Sequence, residues 1–149
     1  MEKRWRERRP KVALMTIALR FTNITVSDVD EAIAFYRDGL GLEVTNDVGS
    51  GDYRWVTLGS ESQPGLGIVL SEPHAGRSQA DGDTMQELLA KGVLPMLVFV
   101  TDDLDATFET VRAFGAEVLQ EPIDQGWARD CAFRDPSGNT VRISQAASR

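Results

Sequence analysis

The chain contains one pattern twice. "VSDVDEAIAFYRDGLGLEV" (26–44) aligns with "TDDLDATFETVRAFGAEV" (101–118), so that Asp28 matches Asp103, Asp30 matches Asp105 and Arg37 matches Arg112. After one gap, Gly41, Glu43 and Val44 match Gly115, Glu117 and Val118. A repeat constrains the fold more than any single residue, because each copy must build the same supersecondary unit. Both copies open on acidic residues, which suit the positive end of a helix dipole. Apolar positions then follow at helical spacing: Val29, Ile33 and Tyr36 in the first copy, Leu104, Phe108 and Val111 in the second. Gly41 and Gly115 supply the left-handed cap that stops each helix.

Strand-like segments surround both helices. "IALRFTNITV" precedes the first, and "LEVTND", "YRWVTLG" and "LGIVLSE" follow it; "VLPMLVFV" precedes the second, and "AEVLQE", "RDCAFRD" and "TVRISQ" follow it. The expected architecture is α+β: two βαβββ modules, 16–72 and 93–145, whose mixed sheets curve around a cavity with the helices outside. Residues 73–92 form a polar linker with a short helix. A chain of 149 residues suits one domain on this plan, spanning 16–145.

Alternation along the strands assigns the faces. Ile24 and Val26 belong on the helix side, leaving Phe21, Asn23 and Thr25 opposite; Val56 and Leu58 do the same for Tyr53, Trp55 and Thr57. Mixed aromatic and polar residues on that face suit a ligand cavity. The competing reading is a sheet face turned to solvent or to a second copy.

Composition excludes several classes. No apolar run approaches the ~18 residues of a membrane helix. The single cysteine, Cys131, forms no internal disulfide, which fits a cytoplasmic protein. With Ala132 and Phe133 beside it and no histidine near it in sequence, it reads as a core residue rather than a nucleophile. Residues 1–11 carry six Lys/Arg against two Glu, whereas the whole chain has a net charge of −7. That basic head is either an arm for nucleic acid or an extension, 1–15, with no part in the fold, and "MTIALRF" favours the extension. The acidic remainder lacks the Lys/Arg patches that phosphate contacts require, so neither nucleic acid nor membrane is expected as a partner.

The terminal stretch "FRDPSGNTVRISQ" (133–145) adds a strand, a tight turn on Asp135–Asn139 and a second strand. Together with the duplicated βαβββ pattern, it resembles the vicinal oxygen chelate superfamily over residues 16–145. That superfamily includes glyoxalase I, extradiol dioxygenases, fosfomycin-resistance transferases and bleomycin-resistance proteins. The resemblance implies the fold, a homodimer and four positions at which metal-dependent members carry a His, Gln or Glu ligand. By count from the helix-starting aspartates these are Phe21 and Met96; the other two fall at or beside Val69 and at Arg142. None of these side chains offers a hard cation a ligand, since Phe and Val have no donor, Met is soft and Arg stays protonated. The only histidine, His74, lies in the linker, and the aspartates at 28, 30, 103 and 105 are explained as helix starts.

The expectation is therefore a site without a metal or other cofactor, and with no assigned catalytic residue. Its ligand-binding candidates are Phe21, Asn23, Trp55, Val69, Met96, Trp127, Asp130 and Arg142. Trp127, in the loop "QGW", is placed to lid the opening. Arg142 either binds an anionic group through its planar fork or pairs with Asp130 on the neighbouring strand, and the two are compatible. The implied function is a metal-independent binder of a small aromatic or anionic molecule, similar to bleomycin-resistance proteins and suited to antibiotic sequestration. The alternative is a lyase, isomerase or dioxygenase-like enzyme that uses an atypical metal site or none.

Overall fold

The computed structural model describes residues 16–146, so the basic head lies outside the described residues. The first module runs β1 (Phe21–Thr25), α1 (Val29–Ile33), β2 (Glu43–Ser50), β3 (Tyr53–Ser60) and β4 (Gln63–Ser71). After α2 (Gln79–Lys91), the second module repeats the order with β5 (Leu97–Val100), α3 (Leu104–Phe114), β6 (Glu117–Asp124), β7 (Ala128–Arg134) and β8 (Thr140–Ala146). Each module makes one four-stranded mixed sheet, ordered β1-β4-β3-β2 and β5-β8-β7-β6. In both, the helix crossover makes the first and last strands parallel, while hairpins make the other pairs antiparallel.

The duplication extends to side-chain detail. Asp28 and Asp103 cap α1 and α3, accepting from the amides of Glu31 (2.9 Å) and Ala106 (3.1 Å). Two residues on, Asp30 pairs with Arg54 of β3 at 2.6 Å, and Asp105 pairs with Arg129 of β7 at 3.0 Å. The helices differ, however. α1 gives way after Ile33 to a π-helical segment, Ala34–Gly39, in which Leu40 N donates to Phe35 O. That wider turn reaches the same glycine stop as the regular α3, with Gly41 at φ +79° and Gly115 at φ +107°.

One apolar core joins the modules. Phe35, Tyr36, Val56, Leu58 and Leu70 pack in a single cluster with Leu104, Phe108, Phe133, Val141 and Ile143. Phe35 meets Phe114 edge-on, with ring centroids 6.4 Å apart, and Phe108 stacks on Phe133 at 5.3 Å. The helix-covered sides of both sheets thus share one interior, and the opposite sides look away from it.

The Asp135–Asn139 turn clasps the two modules together. Asp135 is buried; its Oδ1 accepts from the amides of Ser137, Gly138 and Asn139, and its Oδ2 from Tyr36 Oη (2.7 Å) and Asn139 Nδ2 (2.9 Å). Asn139 Nδ2 also donates to Thr25 O at 2.8 Å, and Ser27 N donates to Ser137 Oγ at 2.9 Å. Burial, reinforced by the Asp135 charge and the hydrogen bond to it, pushes the Tyr36 hydroxyl far above its ordinary pKa, so it stays a donor. The linker holds a longer helix than the short one expected, α2 being 13 residues. His74 lies against Gly82 of this helix and bonds Asp83 at 2.8 Å, well within a local structural role.

Candidate functional site

The sheet faces turned away from the core carry the candidate residues in rows fixed by strand pairing. On the first sheet, Asn23, Val69, Thr57 and Asn46 stand opposite one another across four strands. Phe21 lies one pleat away, opposite Gly67, and Trp55 lies opposite Val48. Gly67 permits a close approach: a β-carbon there would meet the Phe21 ring and Thr57 Cγ2 at 3.0 and 2.8 Å. Arg20 stacks its guanidinium 4.4 Å above the Phe21 ring.

The second sheet repeats the row as Val98, Arg142, Ala132 and Gln120. The shift that places Asp28 on Asp103 places Asn23 on Val98, so Val69 and Arg142 are equivalent positions. Here the polar groups converge. Arg142 Nη1 donates to Asp130 Oδ2 at 2.6 Å and to Gln120 Oε1 at 3.3 Å. Asp130 Oδ1 accepts from Gln120 Nε2 at 2.9 Å and Gln125 Nε2 at 3.3 Å. Burial alone would raise the Asp130 carboxyl, but bonds from Gln120, Gln125 and Arg142 outweigh it and hold the group below the usual carboxylate range. Sequence reading placed Arg142 and Asp130 together but missed both glutamines. Strict alternation along "EVLQEPID" puts Gln120 on the core face of Val118, and it is the register shift between these two residues that turns Gln120 to the side carrying Asp130.

Placement of the remaining candidates is less convergent. Phe21, Met96 and Trp127 are 48, 52 and 71% exposed, and Val98 and Val100 are exposed on the edge strand β5. Trp55 and Val69 are half-buried, and Asn23 is exposed. Within one chain the two faces do not close over each other, because the helices that cover their backs pack together in one core. Clefts within a single chain reach these faces at their margins, at Val98 and at Gly67. One of about 480 Å³ runs between the β3–β4 turn and β5, lined by Leu40, Leu66, Val100 and Thr101 among others.

A divalent cation finds no suitable set of donors at the four positions. Phe21, Met96 and Val69 are apolar or soft, and the Arg142 guanidinium repels a cation. The neighbouring carboxylate, Asp130, is already engaged by three side chains. Among the described residues, no group of three or more His, Cys, Asp or Glu side chains is placed to hold a metal ion. The residues present do not fit the metal centre that the fold elsewhere carries. No helix among the described residues is long and apolar enough to cross a membrane.

Comparison with known proteins agrees with this architecture. The uncharacterized protein YurT of Bacillus subtilis (strain 168) is 31% identical over 125 residues, covering 83% of this chain and 95% of that one. A probable lactoylglutathione lyase of Vibrio parahaemolyticus serotype O3:K6 (strain RIMD 2210633) is 28% identical, covering 83% and 87%. Among solved structures, UcmS2 superimposes with a TM-score of 0.80 at 34% identity, over 87% of this chain and 98% of that one. TnmS3, an antibiotic binding protein from Streptomyces sp. CB03234, shares the fold with a TM-score of 0.71 at 23% identity, over 90% and 99%. Residues 18–143 match the model of one family, and the chain belongs to it: the Glyoxalase/Bleomycin resistance protein/Dioxygenase superfamily.

Proposed function

We propose that this protein binds a small molecule without a metal, in a site built from the two outward sheet faces. Support comes from one feature above all: the positions that the resemblance assigns to metal ligands fall at Phe21, Met96 and Arg142 and at or beside Val69. Around them lie an aromatic and apolar wall, with Trp55 and Val98, and one hydrogen-bonding cluster on Asp130 and Arg142. Such a surface gives contact area to a ring system and a few fixed polar groups to orient it. The same fold serves an antibiotic-binding protein in TnmS3, and sequestration of an antibiotic or a similar aromatic metabolite is the role proposed. A second copy covers the exposed faces, and the complex resides in the cytoplasm with neither nucleic acid nor membrane as partner.

The enzyme reading draws on relatives named lactoylglutathione lyase. In its metal-dependent form it requires a cation at positions that supply no ligand for one, and an enzyme with an atypical metal site or none has no catalytic motif behind it, which is why binding is preferred. Elemental analysis of protein purified without a histidine tag separates the two. The binding reading expects no stoichiometric zinc, iron, manganese or nickel, and a melting temperature unmoved by chelator. A metal within coordination distance of residues 21, 69, 96 and 142 would overturn it. A thermal-shift screen of antibiotics and aromatic metabolites then identifies the ligand, since one present at ~100 times its dissociation constant adds about 2.7 kcal/mol.

A further inference from the structure

Arg142 looks like an anion anchor, but its surroundings say otherwise. We propose that Asp130 sets the charge of the ligand group accepted beside Arg142: an uncharged hydrogen-bond acceptor, such as an amide or ketone oxygen, in preference to a carboxylate or phosphate. This inference rests on the ligand-binding reading of the sheet face.

The geometry separates the two ends of the guanidinium. Nη1 is committed twice, to Asp130 Oδ2 at 2.6 Å and to Gln120 Oε1 at 3.3 Å. Nε and Nη2 have no partner among the described residues, and the Arg142 side chain keeps 32% of its surface exposed against 7% for Asp130. The carboxylate is therefore at the back of the cluster and the remaining N–H donors are at the front. Gln120 and Gln125 both turn their amide nitrogens to Asp130 Oδ1, so that the buried carboxylate is held by donors on each oxygen.

Charge follows from this arrangement. One guanidinium and one carboxylate in a close ion pair leave the cluster neutral, with directed donors and no net positive charge. An anion arriving at Nε and Nη2 would place two negative groups on one cation. It would also exchange full hydration for a half-exposed site, at a cost that Arg142 alone no longer offsets. An uncharged carbonyl oxygen accepts the same two donors and loses far less hydration. Val98, which flanks Arg142 across β8 and β5 and is exposed, suits an apolar body next to that oxygen. The long-range field points the same way, since the chain carries a net charge of −7.

A matched pair of probes tests the idea: 2-naphthamide and 2-naphthoate at pH 7, titrated into the full chain and followed by amide-resolved NMR at Val98, Ala132 and Arg142. Wild type should bind the amide at least ten-fold more tightly than the carboxylate. Asp130→Asn, which keeps the shape and removes the compensating charge, should reverse that order. Equal or tighter binding of naphthoate by wild type would overturn the charge assignment while leaving the ligand-binding face intact. An unchanged preference in a folded Asp130→Asn protein would remove Asp130 from the account. If wild type binds neither probe on this face, the ligand-binding reading and this inference fall together. The wild-type comparison holds whether or not the variant folds, which its thermal melt reports.

Discussion

Two buried aspartates do unlike work on the two sides of the second sheet. Asp135, on the core side, accepts from three backbone amides, a tyrosine and an asparagine, and so fixes the terminal turn against the first module. Asp135→Ala should cost about 3 kcal/mol or more in urea unfolding, because it leaves several buried donors unpaired at once. Tyr36→Phe removes one donor from an oxygen that Asn139 still serves, and should cost only about 1–2 kcal/mol. Asp130, on the outward side, is held by Arg142, Gln120 and Gln125. Its folded pKa is depressed, so the stability it contributes is present above the unfolded aspartate pKa of ~3.9 and is lost as pH falls through the folded value. The stability difference between wild type and Asp130→Asn should therefore hold above about pH 4 and shrink as pH falls further. A difference that grew in acid would mean that the carboxylate is not held ionised by Arg142 and the glutamines.

At the scale of elements, the helix-cap glycines and the turn glycines separate conformational strain from packing. Gly126 and Gly138 both have positive φ, +91° and +116°, but nothing lies within 4 Å of a β-carbon built on Gly126. A β-carbon on Gly138 would collide with the carbonyl oxygen of Leu89 in α2. Gly126→Ala should thus cost about 1–2 kcal/mol of left-handed strain alone, while Gly138→Ala should cost clearly more, since α2 must also shift. Equal losses by urea titration would contradict that tight seating of α2 on the terminal turn. Much of the element plan was legible because repetition and alternation are local signals: the aspartate caps, the glycine stops and the paired βαβββ order can all be read from spacing. The π-helical turn after Ile33 was not, since it answers to how Phe35 and Gly39 meet Phe114 across the modules. The candidate site divides in the same way. Asp130 and Arg142 meet because neighbouring strands bring them together, whereas Gln120 and Gln125 join them through the bulged β6–β7 pairing, which spacing alone does not reveal.

For the whole molecule, the sharing of one core by both helices has a consequence for assembly. It turns the opposite sides of the sheets outward and leaves the edge strands, β1 and β2 of one sheet and β5 and β6 of the other, unpaired on one side. Apolar residues on β5 and in the segment leading into β1 are unusually open: Val98 is 61% exposed and Val100 83%, Ile17 98% and Leu19 67%. Edge strands of this kind invite pairing, and apolar side chains clustered along such an edge mark an interaction surface. A second copy is the covering proposed, because a two-fold axis lets each chain offer the same edges and protect the same edges. Light scattering at tens of micromolar should accordingly give twice the mass of one chain. Val100→Lys places a charge on the open edge without touching the core, and should shift that mass toward one chain while leaving the circular-dichroism spectrum unchanged. The same variant should weaken ligand binding if the second copy helps to enclose the faces, although residue 100 lies away from Phe21 and Trp55 on the other sheet. A wild-type monomer at these concentrations would remove the second copy from the account and leave the two faces as separate, open surfaces.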